Sequence, residues 1–309
     1  SGKSKGQFYT PAEVSRIMAK IIGINNNNTN ADTTIYDPTC GSGSLLLKVA
    51  DEAEKKITIY GQEKESATAG LARMNMVLHD CPTALIKCTG NSTLSDPQFT
   101  EDNGGLKQFD FIVANPPFSS KNWSNGVYDT EGDENTQLFS NGTDYGRFKG
   151  FGIPPTKNGD YAFLLHMLRS LKSKGKAAVI LPHGVLFRGN AEAEIRKNLI
   201  KKGYIKGIIG LPANLFFGTG IPACLIVIDK ENANNRKAVF MIDASKGFMK
   251  PGPKNQLRSQ DIHKIVDVFN KQLELPKYSR IVPINEIEAK EYNLNLPRYI
   301  DSQEEEDIQ

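Results

Sequence analysis

The residues Phe109-Asp110-Phe111-Ile112-Val113-Ala114-Asn115-Pro116-Pro117-Phe118 run from a strand-forming stretch straight into an amide, two prolines and an aromatic ring. Consecutive prolines cannot continue a hydrogen-bonded ladder, and their fixed torsions turn a backbone carbonyl outward. Asn115 then offers an amide oxygen beside the Pro116 carbonyl, giving two acceptors matched to an NH2 group. Phe118 supplies a flat face on which a planar base can stack.

A second stretch, Ile35-Tyr36-Asp37-Pro38-Thr39-Cys40-Gly41-Ser42-Gly43-Ser44, has the pattern of a strand, a glycine turn and a helix start. Gly41 and Gly43 let backbone approach a ligand where a Cβ would collide. The helix start that follows presents free amides and the positive end of a dipole. Leu46 stands where a dinucleotide fingerprint would have its third glycine, so the turn is not of that type. Asp37 puts a carboxylate where a cationic ligand could sit. A third stretch, Tyr60-Gly61-Gln62-Glu63, ends a strand about 26 residues after Asp37. An acid at this point of a nucleotide-binding sheet accepts hydrogen bonds from ribose hydroxyls, as Glu63 could here.

These stretches need strands to hold them, and the sequence alternates β-branched runs with amphipathic helices. Strands are predicted at 33–37, 57–61, 84–88, 109–114, 176–181, 205–210, 224–229 and 238–243. Helices are predicted at 45–54, 66–79, 161–173, 191–201 and 259–272, with one more before the first strand. In 161–173, Phe163, Leu164, Met167, Leu168 and Leu171 form one apolar stripe. This alternation specifies an α/β protein with a mostly parallel twisted sheet and helices on both faces. Residues 119–159, rich in Gly, Asn, Ser, Asp and Thr, form a loop insertion long enough to be either a lid or contact element or a disordered insertion without a role. Residues 275–298, punctuated by Pro276, Pro283 and Pro297, read as irregular. A single domain over residues 1–300, followed by an acidic disordered tail at 301–309, is expected.

Composition narrows the class. The 309 residues are 39% hydrophobic and 24% charged, ordinary for a globular enzyme. The net charge is +3, yet residues 301–309 carry five acids and no base, so the body is more basic than the total suggests. A basic body suits a polyanionic partner. Cys40, Cys81, Cys88 and Cys224 lack CxxC spacing, and His79, His166, His183 and His263 are scattered. No metal site and no disulfide framework are therefore expected, and a reducing, cytoplasmic compartment is. No run is long enough to span a bilayer, so no membrane association is expected. The start at Ser1-Gly2, four residues before the first motif, reads as the beginning of a piece cut from a longer protein.

Taken together, DPTCGSG, Glu63 and NPPF resemble the N6-adenine DNA methyltransferases, and within them the methylation subunits of type I restriction–modification systems. Gly6-Gln7-Phe8-Tyr9-Thr10-Pro11 is similar to that family's opening motif. Residues 181–188 (LPHGVLFR), 210–224 (GLPANLFFGTGIPAC) and 293–299 (NLNLPRY) resemble its later signatures. The resemblance implies a Rossmann-like S-adenosylmethionine-dependent methyltransferase fold, with an antiparallel strand near the C-terminal end. It implies methyl transfer from S-adenosyl-L-methionine to the exocyclic amine of an adenine flipped out of double-stranded DNA. Asn115, Pro116, Pro117 and Phe118 would be catalytic. Gln7, Phe8, Tyr9, Thr10, Pro11, the turn Asp37, Pro38, Thr39, Cys40, Gly41, Ser42 and Gly43, then Glu63 and Asn91 would hold the cofactor. Asn91, in Gly90-Asn91-Ser92, departs from the acid common there. A DNA specificity subunit, a restriction subunit and a bacterial or archaeal cytoplasm are the implied partners and setting. The helical domains that usually flank this catalytic domain are expected to be absent from residues 1–309. Two alternatives keep the same motifs: a protein glutamine N5-methyltransferase, whose substrate amide poses the same electronic problem, and an inactive cofactor-binding DNA scaffold.

Overall fold

The computed structural model describes residues 9–127 and 144–302. Helix α1 (Ala12–Ile21) precedes strand β1 (Thr34–Asp37), helix α2 (Ser44–Glu52), strand β2 (Thr58–Gln62), helix α3 (Ser66–Leu78) and strand β3 (Leu85–Lys87). Strand β4 (Phe109–Ala114), helix α4 (Asp160–Arg169) and strand β5 (Leu171–Pro182) form the centre. Helix α5 (Ala191–Lys201), strands β6 (Ile205–Gly210), β7 (Ala223–Asp229) and β8 (Ala238–Asp243), helix α6 (Ser259–Lys271), strand β9 (Ser279–Pro283) and helix α7 (Ile284–Ala289) complete the chain.

Among the described residues these strands form one nine-stranded sheet in the order β3-β2-β1-β4-β5-β7-β6-β8-β9. β3 to β5 are parallel throughout; β7 runs antiparallel to both β5 and β6, and β9 runs antiparallel to β8. The chain moves outward from β1 to β3, then returns to place β4 on the other side of β1. That reversal opens a crevice beyond the carboxyl ends of β1 and β4, the place where open α/β sheets take ligands.

Alternation along the central strands feeds two cores. In β5, Ala178 and Ile180 face the layer of α1, α2, α3 and α6, whereas Ala177, Val179 and Leu181 face the layer of α4 and α5. A strand buried on both faces reads as a continuous apolar run, as this one does.

Three sequence expectations are corrected. The helix starting near Tyr161 ends at Arg169, and Leu171 already belongs to β5, because Phe109 of β4 recruits Leu171 into the ladder. That helix is buried on every side from Asp160 to Leu168 rather than along one stripe, because residues flanking 128–143 cover its outer face. Trp123, Val127, Arg147 and Phe148 are all buried there, so the described parts of 119–159 contribute side chains to the core beside exposed stretches. Residues 275–298 are not irregular: they hold β9 and α7. Pro283 is tolerated because β9 is an edge strand, where the missing N–H costs the sheet nothing. Residues 128–143, the part of the tail from 303 onward, Gln7 and Phe8 lie outside the described residues.

One buried polar network ties the 144–159 segment to the sheet. Arg147 donates to the Leu94 carbonyl at 2.8 Å and to His166 Nδ1 at 3.2 Å. A guanidinium can only donate, so Nδ1 accepts and Nε2–H donates to the Tyr36 hydroxyl at 2.9 Å. Complete burial, with the Arg147 charge adding to it, holds the His166 pKa well below 6.5. The sign follows: the unfolded chain binds this proton before the folded one, so the stability is intact above pH 6.5 and is lost as pH falls below it. This histidine's own contribution to the unfolding temperature is therefore expected to fall between pH 7.5 and 5.5, against the opposite trend from Asp37, whose carboxyl is pushed up to about 8 by burial. His166→Asn, which cannot take up the proton, should start lower, and its deficit relative to wild type should shrink as pH falls over that range. Half-buried His183, shifted the same way, contributes equally to both proteins. An unchanged slope in the variant would refute the assignment.

Candidate active site

Asp37 closes β1 and is buried, with Oδ1 accepting from the Thr39 amide at 2.9 Å. Its carboxylate is thus buried and tied to the turn at the strand end where the sequence placed an acid. Burial, reinforced by the Glu63 charge, pushes its pKa up to about 8 against the lowering effect of the Thr39 amide. Pro38 accepts from the Thr93 hydroxyl, and the Cys40 amide donates to the Gln62 carbonyl at 2.9 Å. The turn is thereby stitched to the end of β2.

The two glycines do different work. Gly41 has φ +55°, and no atom lies within 4 Å of where its Cβ would stand, so a ligand can come against bare backbone there. Gly43 has φ +83°, and a Cβ on it would come 2.6 Å from the Met76 methyl of α3. Glu63 is buried and accepts two backbone amides, Gly41 at 2.9 Å and Glu65 at 3.0 Å. It thus fixes the turn that the sequence paired it with. An anionic group bridging the glycine turn and the end of β2 is the arrangement that receives ribose hydroxyls in such sheets.

Asn115 ends β4 beside this turn. Its Nδ2 donates to Thr10 Oγ1 at 2.9 Å. That bond joins residues 105 apart in sequence. Tyr9, next to Thr10, places its hydroxyl 3.1 Å from Ser42 Oγ. Tyr9, Thr10, Pro11, Ser44, Lys48 and Phe217 share the wall of a cavity of about 580 Å³ between α1, α2, the loop after β6 and residues 251–257.

Phe118 is not an open platform. It is 8% exposed and packs edge-on against Phe216, centroids 6.2 Å apart. Asn91 is exposed and donates to Asp96 at 3.3 Å; among the described residues it shares no hydrogen bond with the other candidates. Sequence reading missed Phe216, the pairing of Thr10 with Asn115, and Gln62, which is fully buried and bonds to Asp96 and Gln98. The doublet Phe216-Phe217 within a glycine-rich loop was the available signal for the first; nothing local announces the others.

A doubly wound sheet with a glycine turn at one side of its switch point and an Asn-Pro-Pro-Phe turn at the other defines a methyltransferase-type α/β domain. The N-6 DNA Methylase family profile matches residues 1–308, and the chain belongs to that family. It is 34% identical, over 99% of its length, to the type I restriction enzyme MpnII methylase subunit of Mycoplasma pneumoniae, and 31% identical, over 98%, to the MjaVII methylase subunit of Methanocaldococcus jannaschii. It covers 55% and 51% of those proteins, so the chain spans about half the length of the curated relatives it matches. A solved type I methyltransferase subunit from Streptococcus thermophilus superposes with a TM-score of 0.84 at 37% identity, covering 97% of this chain and 60% of that one.

The Gly43 contact gives a direct check on the turn. Gly43→Ala is expected to cost about 1–2 kcal/mol from the left-handed backbone alone, with a further loss from Met76. Adding Met76→Ala should return only the Met76 share, net of its own cavity cost, in chemical denaturation. A neutral Gly43→Ala would mean the turn is not built this way.

Proposed function

We propose that this chain is the catalytic part of a site-specific DNA methyltransferase, using S-adenosyl-L-methionine to methylate the N6 amine of adenine as the modification subunit of a restriction–modification system. The observation that carries the reading is the placement of Asn115, oriented by Thr10, at the tip of β4 next to the glycine turn of β1. The family and the names of the relatives agree with it. Double-stranded DNA, a specificity subunit and a restriction subunit are the proposed partners, and the proposed setting is the cytoplasm. Among the described residues no helix is long and apolar enough to cross a membrane.

When bound, the cofactor supplies an electrophilic methyl group on a sulfonium. The residues that fit it are Tyr9, Thr10 and Pro11, the turn from Asp37 to Gly43, and Glu63, because bare backbone at Gly41 and the acid of Glu63 meet at one crevice. Gln7, Phe8 and Asn91 are proposed contacts on the strength of the family resemblance. The amino lone pair of adenine is delocalised into the ring and attacks poorly. The Asn115 side-chain oxygen and the Pro116 carbonyl accept its two hydrogens and draw the nitrogen toward tetrahedral geometry. Both acceptors bind more strongly as positive charge grows on the nitrogen, so they favour the transition state over the ground state. Pro117 fixes the turn and Phe118 receives the flipped base, whose unstacking costs a few kcal/mol and whose stacking on the ring returns roughly 1–3.

Labelled cofactor with unmethylated duplex DNA tests the assignment. Asn115→Ala is expected to lower transfer by about 10²–10³-fold or more, while the cofactor Kd stays within a few-fold. Near-normal transfer by that variant would remove Asn115 from the mechanism. Asp37 gives an independent check. A cationic ligand favours its ionised form, so with a pKa of about 8 cofactor affinity should rise from pH 6 to 8, with proton release seen by calorimetry in two buffers. Asp37→Asn should flatten that dependence, and a flat wild-type profile would contradict it.

A further inference from the structure

The residue that follows the catalytic turn is held in an unusual way. Ser119 has φ +49°, in the left-handed region that side-chain-bearing residues enter only when surroundings enforce it. Its amide donates to Asp160 Oδ1 at 2.7 Å, and its hydroxyl lies 3.4 Å from Asp160 Oδ2. Asp160 opens α4, 41 residues away, and is 0% exposed. Burying a carboxylate completely is unfavourable unless it is paired and hydrogen-bonded. Arg188 meets that need, with Nη2 2.6 Å from Asp160 Oδ2, and is steadied by Glu192 at 2.8 and 3.0 Å. The neighbouring backbone is locked as well: the Gly159 amide donates to the Ser120 carbonyl at 3.0 Å.

Pro116 and Pro117 have torsions fixed by their rings, so the first adjustable φ angles after them belong to Phe118 and Ser119. We propose that Asp160, held by Arg188, is a positioning residue for methyl transfer, which keeps Ser119 in the left-handed conformation and so sets where the Phe118 ring and the preceding acceptor turn stand. It touches neither base nor cofactor. The inference rests on the adenine-methyltransferase reading and adds to it two residues, Asp160 and Arg188, to which sequence reading assigned no role in the site.

The complete subunit, assembled with its specificity partner, is assayed with labelled S-adenosyl-L-methionine and unmethylated genomic DNA. Asp160→Leu removes the hold at similar volume and is expected to lower kcat at least 100-fold, with the cofactor Kd within threefold. Asp160→Asn keeps an acceptor for the Ser119 amide and should lose less. Ser119→Gly added to Asp160→Leu should restore kcat about tenfold, because glycine reaches φ +49° without strain; a general packing defect would not respond. A kcat within threefold of wild type for Asp160→Leu, or no recovery in the double variant, overturns the proposal. If Asp160→Leu does not fold, Ser119→Val decides. It keeps the N–H and the ion pair but resists positive φ, so a kcat within threefold of wild type overturns the proposal and a large loss at unchanged cofactor affinity supports it. Amide hydrogen exchange over residues 115–120 separates this claim from the one it rests on. An inactive wild type whose Ser119 amide is protected, and loses protection in Asp160→Leu, would leave the hold standing and sink the methyltransferase reading. An unprotected Ser119 amide in the wild type would sink the hold itself.

Discussion

The pairing of β1 with β4 is the constraint on which the site depends. Ile35 lies opposite Phe111 and Tyr36 opposite Ile112, so two strands 70-odd residues apart in sequence end side by side. The glycine turn leaves one and the Asn-Pro-Pro-Phe turn leaves the other. A one-residue slip of either strand would exchange its faces, sending Ile112 into the wrong core and turning Asn115 away from Thr10. Register is therefore enforced by burial on both faces of the sheet rather than by the site itself.

Around that pairing, polar groups buried at cost restrict the turns to single conformations. Glu63 accepts the amides of Gly41 and Glu65, Asp37 accepts that of Thr39, and Gln62 bonds across to Asp96 and Gln98. Each is satisfied by backbone partners, which makes its burial tolerable and its geometry specific. The raised Asp37 pKa is a consequence of this design: a carboxyl under the turn trades easy ionisation for a rigid loop. On the opposite layer, the Tyr36–His166–Arg147 network brings the residue preceding Asp37 into contact with the segment that returns to α4. Both motifs thus rest on frameworks contributed by distant parts of the chain.

The sequence by itself determined the elements and the chemistry carried within single stretches. β4, β6, β8 and α5 begin and end where their apolar patterns do, and the acceptor turn and glycine turn are readable because their residue types are adjacent in the chain. Edge elements were less legible: β9 is short, half-exposed and closed by a proline, so its pattern resembles a loop until β8 lies beside it. Tertiary structure decided everything that depends on groups meeting across the chain. Thr10 reaches Asn115 over 105 residues, Phe216 covers Phe118, and Asp160 grips Ser119 over 41. The physical reason is that a local pattern encodes the torsional and hydrophobic preferences of neighbouring residues. A hydrogen bond between distant side chains follows from strand order and register instead, and no window of sequence contains those.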